Sequence, residues 1–240
     1  MTNPYFVEDL YFSSFDLHGK TFTFLLNSRK DHIQQFLANG EFYEREELEL
    51  FCRFCAGRKR LLDVGANIGN HSIFLAHQLN LDRVTPIEPQ LAILHILRAN
   101  LGLNWHPSFD LSHLGVGLSD RAGWARIGSF DEGNIGGTRM VPASGDDKSV
   151  DRDAYPVRLC AGDDLFQSGD FDIIKIDVEG MEIKALTGLK HVLVAFDGVI
   201  FVEVHDDNIA GFARSIDEMG FRKVEEYRRY AKCSNWILTR

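Results

Sequence analysis

The stretch Leu61-Leu62-Asp63-Val64-Gly65-Ala66-Asn67-Ile68-Gly69-Asn70 decides the fold of this chain. It begins with a short apolar run of strand length, and its two glycines permit a sharp turn that a ligand can approach closely. Apolar residues then recur at helical spacing between Ile68 and Leu79. The stretch therefore predicts a buried strand, a tight turn and a helix whose first N–H groups face a crevice above the strand ends.

The spacing of the turn and the acid before it indicate the kind of ligand. A dinucleotide site reads G-x-G-x-x-G, whereas this turn reads D-V-G-A-N-I-G. Asp63 would repel a pyrophosphate and attract an ammonium group. This favours S-adenosylmethionine, whose methionyl end carries a cationic amine beside a sulfonium. A strand–turn–helix without any ligand is the alternative, because short glycine patterns often match by chance.

Composition indicates an ordinary globular protein. The 240 residues are 45% hydrophobic and 25% charged, which fits one large α/β domain with an N-terminal extension. A net charge of −9 argues against a nucleic-acid substrate, because phosphate backbones favour basic surfaces. The start of the chain, Met1 to Leu10, lacks a signal-peptide pattern, and no apolar run reaches membrane length. We therefore expect a cytoplasmic protein without a membrane partner.

The four cysteines are too scattered for a disulfide framework. Cys52 and Cys55 form a C-x-x-C pair within a helical run, but no second Cys or His pair follows at ligand spacing. Buried thiols are therefore favoured over a zinc site.

The chain divides at residue 56 in this interpretation. Residues 1–56 form a hairpin and a mostly helical extension from Asp31 to Phe54, and residues 57–240 form the ligand-binding domain. Tyr43 and Glu44 lie where the extension crosses towards the crevice, so they are candidate substrate-binding residues. Residues 131–155 form a long loop rich in Gly, Asp and Ser, assigned either to a lid or substrate region or to a surface insertion.

A second strand, Arg83 to Ile87, ends in Glu88-Pro89. Glu88 follows Gly69 by nineteen positions, close to the offset of about 20 residues at which an acid binds ribose hydroxyls. An ordinary charge at a helix N-terminus is the alternative. Pro86 within the strand removes a ladder donor, so we expect a bulge or an early strand end there.

Later strands carry further polar groups to the same edge. Lys175 and Asp177 point to one side of a strand, and a lysine in an apolar strand needs a partner, for which Asp177 is the nearest candidate. A purely structural ion pair is the alternative. The strand from Val199 to Val204 precedes His205 and Asp206, and two closing strands, 221–227 and 234–239, should pair antiparallel.

Four segments of the chain resemble the FkbM family of S-adenosylmethionine-dependent methyltransferases. They are FYERE (42–46), LLDVGANIGN (61–70), the Glu88-Pro89 step followed by Asn100 and Asn104, and DIIKIDVEGMEIKALTGL (172–189) with Glu203 downstream. The resemblance implies a class I methyltransferase fold, a Rossmann-like doubly wound α/β sheet that is mostly parallel with an antiparallel last strand. It also implies O-methylation of a hydroxyl on a sugar, a polyketide or another small natural product.

The resemblance also assigns candidate roles to individual residues. Cofactor-binding candidates are Asp63, Gly65, Ala66, Asn67 and Gly69 for the methionyl part, Glu88 for the ribose, and Leu118 with Ser119 near the adenine. Asp177 and Glu179 would face the methyl group and the acceptor, and Asn134 also matches the family and is a candidate substrate residue.

A hydroxyl acceptor needs its proton removed, and the sequence offers several catalytic candidates. We expect Asp177 or Glu179 to take the proton, with His205 next, and Lys175 to belong to the same constellation. A less favoured arrangement has Asp177, Glu179 and Asp206 hold Mg²⁺, although no tight ligand cluster is evident. Two rival functions are a nicotinamide-dependent dehydrogenase and a catalytically inactive cofactor-binding or interaction protein on the same fold.

Overall fold

A computed structural model of the chain describes residues 10–127, 133, 137, 140–142 and 156–240. No helix in these ranges combines the length and the apolar character needed to cross a bilayer. The described strands and helices, in chain order, are β1 (Tyr11–Leu17), β2 (Lys20–Leu26), α1 (His32–Ala38), α2 (Arg45–Phe54), β3 (Arg60–Val64), α3 (Asn70–Leu79), β4 (Arg83–Ile87), α4 (Leu91–Leu103), β5 (Val116–Ser119), β6 (Gly123–Ile127), β7 (Met140–Pro142), β8 (Val157–Ala161), β9 (Ile173–Ile176), α5 (Glu182–Gly188), β10 (Val199–His205), α6 (Ile209–Glu218), β11 (Arg222–Tyr227) and β12 (Cys233–Thr239).

The main sheet has the order β11-β12-β10-β9-β3-β4. Strands β4, β3, β9 and β10 run parallel, so their carboxyl ends lie at one edge. Strand β12 is antiparallel to β10, and β11 is antiparallel to β12. This arrangement confirms the expected mostly parallel α/β sheet and the antiparallel pairing of the two closing strands.

The segment after α4 does not add a strand to the main sheet. Strand β5 instead pairs with β8 in a smaller sheet of order β5-β8-β6-β7. The outer side of β4 is occupied by residues 108–110, since the Val84 N–H donates to Ser108 O at 2.9 Å and the Asp110 N–H donates to Val84 O at 2.8 Å. Strand β6 pairs antiparallel with both β8 and β7 in this smaller sheet.

The prediction of a bulge or early strand end at Pro86 is wrong. Strand β4 passes through Pro86, paired in register with Asp63, and continues to Ile87. The Val84 N–H points away from β3 towards residue 108, and Pro86, two residues on, presents its nitrogen to the same side. Its missing donor therefore costs β4 no hydrogen bond to β3.

The expected helical run from Asp31 to Phe54 is interrupted. Residues 39–44 separate α1 from α2, and Gly40 and Glu44 have φ values of 82° and 57°. The buried aromatic residue Phe42 lies between the helices and packs edge-on against Phe22 and Phe74, at ring distances of 5.0 and 5.2 Å. The extension thus shares one hydrophobic cluster with α3.

Two asparagines, Asn100 in α4 and Asn104 directly after it, fix the hairpin to this helix. Asn100 Oδ1 accepts the Leu25 N–H at 2.6 Å, and Asn104 Oδ1 accepts the Thr23 N–H at 2.9 Å. Asn104 Nδ2 donates back to Thr23 O at 2.7 Å. These side chains take the place of a second neighbouring strand on the side of β2 away from β1, where the N–H groups of Thr23 and Leu25 would otherwise lack partners.

Helix α2 is tied to the turn between β11 and β12 by a bidentate ion pair. Arg229 donates from Nε to Glu47 Oε1 and from Nη2 to Glu47 Oε2, the latter at 2.9 Å. Glu47 is fully buried, whereas the neighbouring Glu46, which also faces Arg229 at 3.5 Å, has a side chain that is 75% exposed. The pair holds two segments together that are distant in sequence.

We expect Glu47→Ala to lower the free energy of unfolding by about 2 kcal/mol, because it removes a buried, charge-assisted acceptor. Glu46→Ala is the matched control and should change it by less than about 0.5 kcal/mol, because exposed ion pairs contribute little. Urea denaturation of both variants measures the difference. Equal effects would mean that the buried pair does not anchor the turn.

Candidate cofactor and acceptor site

A cavity of about 500 Å³ lies at the carboxyl ends of the parallel strands. Its volume is within the usual range of small-molecule sites. Its walls come from the turn after β3, the ends of β4, β9 and β10, the N-terminal extension and the turn before β12. The polar or ionisable lining residues include His32, Tyr43, Asn67, Asn70, His71, Glu88, Gln90, Lys175, Asp177, Glu179, Glu203, His205 and Tyr230.

The glycine turn forms one end of this cavity through Gly65, Ala66 and Asn67. Gly65 has a φ of 84°, and a Cβ at this position would overlap the backbone oxygen of Asp177. The Gly65 and Ala66 N–H groups donate to Ile87 O at 2.9 and 3.0 Å. The turn therefore joins the ends of β3, β4 and β9, and only glycine fits at its first position. Gly69 precedes α3 and does not line the cavity.

Glu88 is buried at the same end of the cavity. Its oxygens accept the Asn67 N–H at 2.9 Å and the Gln90 N–H at 2.8 Å. Burial raises the pKa of Glu88, and the two hydrogen bonds lower it. Burial is the larger effect, and the pKa is raised to about 7. A buried carboxylate that faces a cavity offers the acceptor atoms that a ribose diol requires.

The lysine and the acid before the turn form a buried ion pair beneath the cavity floor. Lys175 Nζ lies 3.3 Å from Asp63 Oδ1, 3.5 Å from Asp177 Oδ2 and 2.9 Å from Gly65 O. The predicted pair of Lys175 with Asp177 is therefore present, and Asp63, which was not predicted as a partner, lies slightly nearer to the ammonium. The second Asp63 oxygen accepts the Ser72 hydroxyl at 2.6 Å.

This pairing changes what Asp63 and Lys175 can do. Asp63 is fully buried and is not among the residues that line the cavity. Burial acts to lower the pKa of Lys175, but the carboxylates of Asp63, Asp177 and Glu44 outweigh it and raise that pKa above the usual lysine range. Lys175 therefore stays charged and is not a proton acceptor. Asp63 does not reach the cavity itself and affects it only by stabilising the charge of Lys175.

At the carboxyl ends of β9 and β10, two of the predicted catalytic residues, Glu179 and His205, meet a third group, Glu203. Glu179 Oε2 lies 3.1 Å from His205 Nε2, and Glu203 Oε1 lies 3.9 Å from the same nitrogen. Asp177 lies on the segment between β9 and Glu179 and also lines the cavity. Burial and the carboxylates of Asp177, Glu44 and Glu179 raise the pKa of Glu203 to about 9. We call Glu179, Glu203 and His205 the acidic cluster.

The acidic cluster can hold a cation, because its ligand atoms all lie within 4.8 Å of one another. The predicted Mg²⁺ set of Asp177, Glu179 and Asp206 is not assembled. The Asp206 carboxylate turns outwards to Arg228, with Oδ1 2.6 Å from Nη2 and Oδ2 3.2 Å from Nη1.

An aromatic wall closes the cavity on the side of the extension. Tyr230 donates its hydroxyl to Tyr43 at 2.7 Å, and the Tyr43 ring stacks on His71 with a centroid distance of 6.3 Å. The His32 ring meets Tyr43 edge-on at 5.5 Å. Tyr43, a predicted substrate residue, therefore lines the cavity.

Two other predicted substrate residues have different outcomes. Glu44 is buried behind the wall, 3.4 Å from His71 Nε2, and does not line the cavity. Asn134 lies outside the described residues. Gly137 and Met140, from the long loop between residues 131 and 155, do line the cavity.

Of the two residues expected near the adenine, one lines the cavity and the other does not. Leu118 lines the cavity, whereas Ser119 is buried next to it and donates its hydroxyl to Asp120 Oδ1 at 3.1 Å. Gln90, His32 and Tyr230 line the cavity but were not predicted from the sequence, and Glu203, which also lines it, was named there only as part of the family resemblance. Glu203 and Gln90 follow the rule that strand ends carry site residues, which was a usable signal. His32 and Tyr230 are far from every motif, and no local pattern distinguishes them.

The sheet order, the glycine turn and the buried acid after β4 define a class I S-adenosylmethionine-dependent methyltransferase. Residues 63–226 match the model of the methyltransferase FkbM domain. The chain belongs to the FkbM family of methyltransferases.

The chain is also similar to two curated proteins. The chain is 29% identical over 222 residues to the AMB antimetabolite synthetase AmbE of Pseudomonas aeruginosa, a match that covers 79% of this chain and 10% of AmbE. It is 30% identical over 150 residues to the hexuronic acid methyltransferase AglP of Haloferax volcanii, covering 60% of this chain and 55% of AglP. The chain thus spans a small part of the first relative and about half of the second.

Solved methyltransferase structures share the fold. A precorrin-6y C5,15-methyltransferase from Geobacter metallireducens superposes with a TM-score of 0.50 at 14% identity, covering 83% of this chain and 90% of that one. A tRNA m1G37 methyltransferase from M. jannaschii has a TM-score of 0.51 at 11% identity, covering 97% of this chain and 55% of that one. At these identities the likeness concerns the fold alone.

We expect Gly65→Ala to abolish binding of S-adenosylhomocysteine, because its Cβ would push the turn away from Asp177. Gly57→Ala is the matched control, since Gly57 also has a positive φ, 76°, but a Cβ there meets nothing within 4 Å. The control should lose about 1 kcal/mol of stability and keep its affinity. Isothermal titration of both variants separates the steric effect from backbone strain.

We expect the affinity for S-adenosylhomocysteine to rise between pH 6 and pH 8, because the Glu88 pKa of about 7 means that its carboxylate ionises in this range. An ionised carboxylate accepts both ribose hydroxyl bonds more strongly than a neutral one. Glu88→Gln should bind more weakly and remove this part of the pH dependence. An unchanged pH profile in the variant would exclude Glu88 as the ribose acid.

Folding stability should move the other way. The folded-state pKa of Glu88 lies above its unfolded value, so its contribution is present at low pH and lost as the pH rises through about 7. Thermal unfolding of the ligand-free protein and of Glu88→Gln at pH 5 and pH 8 checks this sign.

Proposed function

We propose that this protein transfers a methyl group from S-adenosylmethionine to a hydroxyl oxygen of a small acceptor, such as a sugar, a polyketide or another natural product. The observation that carries the proposal is a single cavity with a cofactor-type end, formed by the glycine turn and Glu88, and a carboxylate-rich end. The name of the relative AglP, a hexuronic acid methyltransferase, supports a carbohydrate acceptor.

In this proposal the cofactor half is formed by the turn and by Glu88. Gly65, Ala66 and Asn67 receive the methionyl part, Glu88 receives the ribose hydroxyls, and Leu118 packs near the adenine. When bound, S-adenosylmethionine supplies a methyl group already activated by a sulfonium leaving group, so positioning provides much of the acceleration.

The acceptor half has to remove a proton from the hydroxyl, a poor nucleophile at neutral pH. Asp177 is the first candidate, because its side chain is 32% exposed and faces the cavity while one oxygen remains 3.5 Å from Lys175. Glu179, held 3.1 Å from His205, is the second, and His205 is the third. The Lys175 charge orients Asp177 and takes no proton itself.

We expect Asp177→Asn to lower turnover by about 10²- to 10⁴-fold, the usual loss when a general base is removed. Its affinity for S-adenosylhomocysteine should remain within about threefold, because the cofactor half is unchanged. The matched control is Asp206→Asn, whose carboxylate faces Arg228 outside the cavity, and it should retain full turnover. Normal turnover of the Asp177 variant would remove this residue from the mechanism and leave Glu179 or His205 as the base.

The experiment that tests the function has two stages. Isothermal titration with S-adenosylmethionine and S-adenosylhomocysteine, with NAD as the control, tests the cofactor. Transfer of a labelled methyl group to a panel of hydroxylated acceptors then tests the reaction. Binding of the cofactor without transfer to any acceptor would favour a catalytically inactive cofactor-binding protein on this fold.

A further inference from the structure

The acceptor half of the cavity brings several acidic side chains together: Asp177, Glu179 and Glu203. Lys175 is the lysine that lines it, and its ammonium is already shared by Asp63 and Asp177. Glu179 and Glu203 have no such partner among the lysines and arginines whose ion pairs the structure describes. The acidic neighbours of Glu203 and its burial raise its pKa to about 9, and an acceptor that brings in its own positive charge would restore the ionised carboxylate and pair with it.

The nearby basic groups are unavailable to an anionic acceptor. The Lys175 side chain is only 2% exposed, and its donors point to Asp63, Asp177 and Gly65 O. Arg229, which adjoins the lining residue Tyr230, turns its guanidinium away to Glu47. A carboxylate or phosphate entering this half would therefore meet carboxylates without a compensating cation from the described residues.

The same half of the molecule offers aromatic rings. Tyr43 and Tyr230 line the cavity together with the acidic cluster, and their hydroxyls are bonded to each other at 2.7 Å. Aromatic faces attract cations, and the combination of rings with carboxylates is a common way to bind ammonium groups. This observation is independent of the acidic cluster and points to a ligand of the same charge.

We propose that the acceptor carries a protonated amine close to the hydroxyl that is methylated, and that Glu179 and Glu203 bind this ammonium group within the cavity walled by Tyr43 and Tyr230. The inference rests on the proposed function and adds the charge of its substrate. It predicts that this site favours amino-substituted acceptors, amino sugars among them, over anionic ones such as the hexuronic acids on which the relative AglP acts.

The cluster would also decide which atom is methylated. Two neighbouring carboxylates stabilise the ammonium form, in which the nitrogen lone pair is held in an N–H bond and cannot attack. The hydroxyl oxygen forms the new O–C bond with its own lone pair while the C–S bond breaks and its electrons remain on sulfur. The hydroxyl proton passes to a carboxylate, for which Asp177 is the first candidate.

A metal ion is a weaker explanation of the same cluster. Two carboxylates and one imidazole do not match the all-oxygen ligand set that Mg²⁺ prefers. His205 Nε2 is already 3.1 Å from Glu179 Oε2, the distance of an ordinary hydrogen bond.

The test uses three small probes that differ in charge and share a two-carbon hydroxyl scaffold: ethanolamine, ethylene glycol and glycolate. Each is titrated into the protein saturated with S-adenosylhomocysteine, and binding is measured by ligand-observed NMR. Ethanolamine should bind at least about tenfold more tightly than glycolate, with ethylene glycol between them. Equal or tighter binding of glycolate, or no detectable binding of ethanolamine, overturns the proposal.

Two variants assign the binding to the cluster. Glu179→Gln and Glu203→Gln should each weaken ethanolamine binding by about tenfold and leave ethylene glycol unchanged. Unaltered affinity for S-adenosylhomocysteine shows that both variants are folded. Glu49→Gln, an exposed carboxylate on α2 paired with Arg45, is the matched control and should bind ethanolamine like the unmodified protein. If neither cluster variant loses affinity for ethanolamine, the assignment to the acidic cluster is wrong.

The outcomes separate this proposal from the proposed function. Methyl transfer to neutral hydroxyl acceptors without ethanolamine binding would overturn the ammonium site and leave O-methylation standing. Failure to bind S-adenosylmethionine would overturn the function, while titration of ethanolamine into the ligand-free protein would still decide the ammonium site. The protein could instead retain one equivalent of Zn²⁺ or Mn²⁺ and lose it in Glu203→Gln. That result would overturn the ammonium site and identify the acidic cluster as a metal site.

Discussion

The structure around the site depends on one buried cation, Lys175. Its ammonium lies between Asp63 and Asp177 and also donates to the carbonyl of Gly65. Transfer of an unpaired charge into a protein interior costs several kcal/mol. The buried ammonium therefore requires all three partners close by, and this requirement holds them in place. It thereby fixes the end of β3, the glycine turn and the end of β9 relative to one another, and with them both halves of the cavity.

The N-terminal extension completes what the sheet begins. Asparagines in and directly after α4 bind β2, and the buried pair between Glu47 and Arg229 binds α2 to the turn before β12. Tyr43 and Tyr230, one from each of these two segments, then meet through their hydroxyls over the strand ends. The acceptor wall is therefore built from the two ends of the chain, and the sheet provides the cofactor side.

Electrostatics divide the cavity into unlike halves. At the cofactor end, a buried carboxylate, Glu88, is satisfied by two backbone N–H groups. At the acceptor end, carboxylates compete with one another, and the pKa of Glu203 is raised to about 9 by burial and by its acidic neighbours. Titratable groups with strongly shifted pKa values are concentrated at functional sites.

The sequence by itself determined the elements whose causes are local. The glycine turn, the acid after β4 and the strands that alternate with helices follow from residue spacing, because strand and helix periodicity act over a few neighbours. The position of Glu179 and His205 at strand ends was predictable for the same reason. Strand alternation predicted Asp177 as the partner of Lys175, and the tertiary structure alone added Asp63, because that contact joins β9 to β3, which are far apart along the chain. It also decided the course of Pro86, the place of β5 outside the main sheet, and the meeting of His32, Tyr43 and Tyr230, because these depend on contacts between segments far apart along the chain, which no local pattern specifies.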